Sequence, residues 1–166
     1  MRSESARAPL WESLEASTAD EARRVLESAG AGRDEMVAGL ELLADVADAT
    51  DLAGVATAAR ARVAVVRSIG ENGPVDLPPF PEGSEAELAR ALRIAVESAA
   101  ALGQVATAEN AALMARDLYI ELEGPVSRSF TILIANLSNI YTRAGLSDRA
   151  ETNATLALKL AGELAA

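Results

Sequence analysis

A chain of 166 residues buries roughly 70% of its unfolded surface on folding, and here 50% of the residues are hydrophobic but only 3% aromatic. A core of that kind draws on Ala, Leu and Val, which favour helices and let them approach closely, so the expected fold class is all-α. A formal net charge of −10, with no histidine and no cysteine, argues against phosphate-gripping nucleic-acid binding, anionic membranes, the usual zinc sites, disulfides and histidine general bases.

In chain order, residues 8–30 read as an N-terminal helix. Pro9 suits a first turn, Leu10, Leu14, Ala22, Val25 and Leu26 recur at helical spacing, and Gly30 and Gly32 end the segment. Ser17, Thr18 and Asp20 are N-cap candidates that would split it in two. Trp11, the only tryptophan, reads as a core anchor, with a partner hot spot as the alternative. Residues 33–69 form a first helical hairpin. Its stripes, Met36 to Ala47 and Leu52 to Ile69, flank a break at Thr50 and Asp51, where Asp51 is placed to cap the second helix.

Residues 70–83 interrupt the pattern. Pro74, Pro78, Pro79 and Pro81 exclude a helix, and the segment reads as a structured connector suited to polyproline II, with Phe80 free to dock. Ser84 to Glu87 has the form of a capping box and opens a second hairpin over 84–123 that turns at Gly103. Gly124 and Pro125 precede a third hairpin over 125–166 that turns at Gly145. The N-terminus lacks the apolar run of a signal peptide and no stretch reaches a membrane-spanning length, so a single all-helical domain over 1–166, soluble in the cytoplasm, is expected.

The second and third hairpins repeat. Ala95, Ala99, Gly103, Ala108, Ala112 and Ala115 have the same spacing as Leu137, Tyr141, Gly145, Ala150, Ala154 and Ala157. The first hairpin keeps it in part through Ala47, Asp51, Ala56 and Val63. Glycine permits a tight turn, and the alanine after it lets the returning helix cross closely. This pattern resembles the tetratricopeptide repeat, most closely at Ser138, Tyr141, Gly145, Ala150 and Ala157; Ala99 stands where the family has tyrosine, and the interval from Gly103 to Gly145 exceeds the family's period. The resemblance, over about residues 35–164, implies antiparallel hairpins stacked as a short right-handed superhelix with an extra N-terminal helix, about seven helices in all. A generic helical bundle is the plainer alternative.

The resemblance also implies a concave groove lined by the first helix of each hairpin. Glu41, Asp45 and Asp48 would line it in the first hairpin, Arg90, Arg93 and Glu97 in the second, and Asn136, Asn139 and Arg143 in the third. Asparagines there would hold a peptide backbone and arginines a carboxylate. The expected function is therefore non-enzymatic: a scaffold or regulatory adaptor that binds a peptide or helix of another protein and needs no cofactor. Alternatives are a helical bundle around a small apolar ligand and an acidic inhibitor of antitoxin or immunity type. Carboxylate pairs such as Glu109 with Asp117 or Glu12 with Glu15 read as surface charge rather than catalytic groups. Apolar residues at the end of the last helix, Leu156, Leu158, Leu160, Ala161 and Leu164, add homodimerisation as an expectation.

Overall fold

A computed structural model describes residues 18–30 and 32–166. Among them it has seven helices and no strand: α1 (Thr18–Ser28), α2 (Arg33–Ala49), α3 (Ala53–Ser68), α4 (Glu85–Ala101), α5 (Val105–Glu123), α6 (Arg128–Arg143) and α7 (Ser147–Ala165). Pro9, Leu10, Trp11 and Leu14 lie outside the described residues, as do Glu12 and Glu15. Successive helices pack in pairs, α2 with α3, α4 with α5 and α6 with α7; α3 then packs on α4, α5 on α6, and α1 on α4.

The three short turns are built alike, for a reason visible in their backbones. Asp51, Gly103 and Gly145 all take left-handed φ, at 63°, 70° and 76°. The next residue in each case reaches back five positions: Leu52 N–H to the Ala47 carbonyl (2.7 Å), Gln104 N–H to Ala99 (2.8 Å) and Leu146 N–H to Tyr141 (2.9 Å). These bonds, with those from Asp51, Gly103 and Gly145 three residues back, satisfy carbonyls that the end of a helix leaves free. Asp51 therefore does not cap α3. It takes the conformation that glycine takes in the other two turns, and α3 starts after Leu52 with no side-chain cap.

Another helix start differs from its sequence signature. α4 begins where the capping box places it, but the box is not formed: Ser84 has ψ 4° and its side chain makes no cap bond. At that ψ the residue lies in the bridge region and not in the extended one that an N-cap ordinarily takes, so its hydroxyl does not face the free N–H groups. The start of α6 is capped instead. Ser127 accepts from the Phe130 N–H at 3.1 Å, and Glu123, from the end of α5, accepts from the Ser129 N–H at 3.0 Å. Burial pushes the Glu123 carboxyl up, but hydrogen bonds from Ser129, Ser127 and the Arg128 N–H outweigh it and leave the pKa below its ordinary 4.5.

One core runs through α1 and α3–α7, from Val25 through Val65, Ile69, Leu92, Ile94 and Ala111 to Leu133, Leu137 and Tyr141, with Met36, Val37 and Leu40 of α2 packed on it. A smaller cluster of Ala47, Leu52, Val55, Ala56 and Ala58 fills the end of the first pair. Alanines at near-zero exposure, among them Ala59, Ala95, Ala99, Ala108 and Ala115, mark where helices cross.

The connector 70–83 has no regular secondary structure, yet it is fastened along its length. Gln104 accepts from the Gly70 N–H (3.0 Å), Thr107 donates to the Gly73 carbonyl (2.7 Å), and Asn110 accepts from the Val75 N–H (3.0 Å). These three side chains recur at every third residue and so lie along one side of α5. In return Asn72 accepts from the Thr107 N–H at 3.4 Å, capping α5 from a distance. Val75 is buried, and Leu77 and Phe80 pack half-buried on the protein's own core.

Candidate functional site

Among the clefts on the surface of the described residues, two bear on the expected groove. The smaller, about 360 Å³, lies between the C-terminal halves of α4 and α6 and is lined by Val96, Glu97, Ala100, Ala101, Asn136, Asn139, Ile140 and Arg143. Helical spacing explains the grouping. Glu97 lies one turn before Ala101 on α4, and Asn136, Asn139 and Arg143 follow one another at three and four residues on α6, so each helix offers one polar edge. Buried Val96 and Ile140 form an apolar floor between those edges.

The polar groups of this cleft are largely uncommitted. Asn136, Asn139 and Arg143 make no side-chain hydrogen bond or ion pair among the described residues. Glu97 faces Arg93 at 3.5 Å, one turn back on its own helix, a partly exposed pair of small energetic weight. Together they present two amides, each both donor and acceptor, beside one cation and one anion on an apolar base.

Six residues were expected to line the groove beside the acidic set on α2, and the structure divides them. Glu97, Asn136, Asn139 and Arg143 share the cleft. Arg93 touches it only through Glu97. Arg90 lies two turns before Glu97 on α4, close enough to the Glu21 carboxylate of α1 to act on its charge. Glu41 and Asp48 are taken up within their own helix pair: Arg67 bonds to Glu41 (2.6 Å) and Arg60 to Asp48. Each ion pair joins residues whose numbers rise on α2 as they fall on α3, so the two helices run in opposite senses. Asp45 acts on Arg60 at longer range.

Nothing in the sequence signals the larger cleft. It measures about 1150 Å³ and lies between α2, α3 and the connector, with Arg33, Glu41, Arg60, Arg67, Glu71 and Asp76 on its walls. Its arginines are all engaged, Arg67 with Glu41 and Arg60 with Asp48 as above. Arg33 pairs with Glu71 at 3.1 Å and also donates to the Arg67 carbonyl at the end of α3. Cross-helix pairs of this kind carry no sequence signal, because the spacing that makes them is set by the packing of three separate segments.

Two charged clusters, one buried and one at the surface, hold helices to one another. Glu21 of α1 and Arg62 of α3 form an ion pair at 3.2 Å with side chains only 5% and 4% exposed. Burial raises the Glu21 pKa above 4.5; the nearby Arg62, Arg24 and Arg90 oppose that rise without cancelling it. Between the second and third pairs, Tyr141 of α6 donates to Glu109 of α5, Arg149 of α7 bonds to Glu109 at 3.3 Å, and its guanidinium stands 5.9 Å from the centre of the Tyr141 ring. Burial, with the Glu109 bond and charge added, pushes the Tyr141 hydroxyl up to about 12.

No cluster of three or more acidic side chains that could hold a metal occurs among the described residues, and no helix there is long and apolar enough to cross a membrane. Set against known protein families, curated proteins and solved structures, the chain matches none.

Proposed function

We propose that the protein is a short helical-repeat module, with antiparallel hairpins stacked in the manner of tetratricopeptide repeats as a right-handed superhelix. In this reading it binds a segment of another protein in the α4/α6 cleft, as a non-enzymatic scaffold or regulatory adaptor. The repeat reading is supported by the three equivalent left-handed turns at Asp51, Gly103 and Gly145. The binding reading is supported above all by the uncommitted Asn136, Asn139 and Arg143 side by side over the Val96 and Ile140 floor.

The chemistry suits an extended polypeptide. Its backbone amides would pair with Asn136 and Asn139, an acidic group would meet Arg143, and an apolar side chain would cover the floor. A purely apolar small ligand would strip water from Glu97 and Arg143 without pairing them, which disfavours the ligand-enclosing bundle. The volume lies near the lower end of ligand-sized clefts, so it would take a short stretch of chain.

A displayed library of short peptides, selected on the full chain, tests the proposal. The selected peptides are expected to lose about tenfold or more in affinity for an Asn139→Ala, Arg143→Ala double variant. They should keep their affinity for Arg116→Ala on α5, a residue outside the cleft. Equal binding to the wild type and the double variant would place the site elsewhere.

A further inference from the structure

Helix α1 meets the rest of the molecule along one face. Glu21, Ala22 and Val25 are buried there, while Arg23, Arg24 and Glu27 stay exposed. That face does not rest on α2, the helix to which α1 is joined; it packs on α4 and only marginally on α2. Arg62 of α3 takes the Glu21 carboxylate at 3.2 Å, and Ser98 of α4 donates to the Ala22 backbone carbonyl at 3.2 Å. Val25, 1% exposed, belongs to the main core.

Each contact asks something different of the occupying helix. A serine bonded to a backbone carbonyl accepts any helix that comes close enough, which requires a small residue such as Ala22 at that point. The carboxylate is the selective part, because Arg62 and Arg90 are already in place to receive one. A buried ion pair confers specificity more than net holding energy, since desolvation offsets much of its attraction.

We propose that the α3/α4 surface beneath α1 is a helix-docking site, filled in cis by α1. In trans it accepts an amphipathic helix of a partner protein with a carboxylate, a small residue next to it and a branched apolar residue four positions on. This repeats the order of Glu21, Ala22 and Val25. The site is distinct from the α4/α6 cleft, because α4 turns Ser98 toward α1 and Glu97, Ala100 and Ala101 toward the cleft.

The probe is a labelled peptide with the sequence of residues 18–28, followed by fluorescence anisotropy. Wild-type protein is expected to exclude it at micromolar concentration, because the tethered α1 competes at an effective concentration on the order of millimolar. Glu21→Arg sets a cation against Arg62 and Arg90 and should free the surface, with the peptide then binding about tenfold or more tightly than to wild type. A peptide with glutamine in place of its glutamate should bind the same variant about tenfold more weakly. If Glu21→Arg keeps its helical circular dichroism and takes up no peptide, the proposal fails.

Hydrogen exchange on the wild-type chain decides the matter even if that variant does not fold. The amides of Val25 and Leu26 are expected to exchange through an opening that leaves Val65 and Ile94 protected. Equal protection of all four would make α1 an inseparable part of the core and overturn the proposal.

Discussion

Arg62 shows how much one side chain can hold at the residue scale. Truncating it to alanine leaves the Glu21 carboxylate buried without its principal partner, so Arg62→Ala should lower stability by about 3 kcal/mol in urea unfolding. The pH dependence has a definite sign. Glu21 holds its proton more tightly folded than unfolded, so its contribution is fully present below the unfolded value of 4.5 and is lost as pH rises through the raised folded pKa. Glu21→Gln should flatten that part of the curve, measured as urea midpoints between about pH 4 and 7. Glu123 behaves oppositely. Its pKa is lowered, so its contribution is present above 4.5 and is lost as pH falls through the folded value. Tyr141→Phe removes the bond to Glu109 and should cost about 1 kcal/mol, and a phenolate transition expected near pH 12 in the wild type should be lost from the absorbance titration.

Among the elements, the turns make the sharpest comparison. Gly145→Ala would introduce a side chain at φ 76° with nothing within 4 Å to clash with, so its cost is conformational alone, about 1 kcal/mol. Asp51→Gly relieves the same strain in the first pair and should raise the midpoint of thermal unfolding, a gain of about 0.5 kcal/mol. The helices themselves were legible in the sequence because stripes such as Leu133, Ile134, Leu137 and Tyr141 repeat at the helical period and glycine or proline bounds them. The equivalence of Asp51 with the two glycines was legible as well, through the shared spacing to Ala47 and Ala56. The geometry at Ser84 was not, because a capping box names residue types and leaves ψ open.

For the whole molecule, the sequence held the local part of the candidate site and lacked the part that spans helices. Asn136, Asn139 and Arg143 could be grouped because they share one helix edge, and Glu97 joined them through the spacing of the repeat. Arg90 was drawn instead to α1, and Glu41 and Asp48 to α3, because opposite charges on neighbouring helices meet before any ligand arrives. Nothing in a list of residues announces such pairings; they depend on which helix lies across which. The same holds for the connector, whose prolines marked a break but not the row of Gln104, Thr107 and Asn110 that receives it.

That row has a mechanical consequence. A stretch rich in proline and glycine is easily taken for slack between two rigid parts. Here the stretch is a seam, stitched to α5 at Gly70, Gly73 and Val75 and tucked under by Val75 and Phe80. Under tension applied at the chain ends, it cannot lengthen until those stitches part. The first two helix pairs are therefore held under load by those bonds as well as by the packing of α3 on α4.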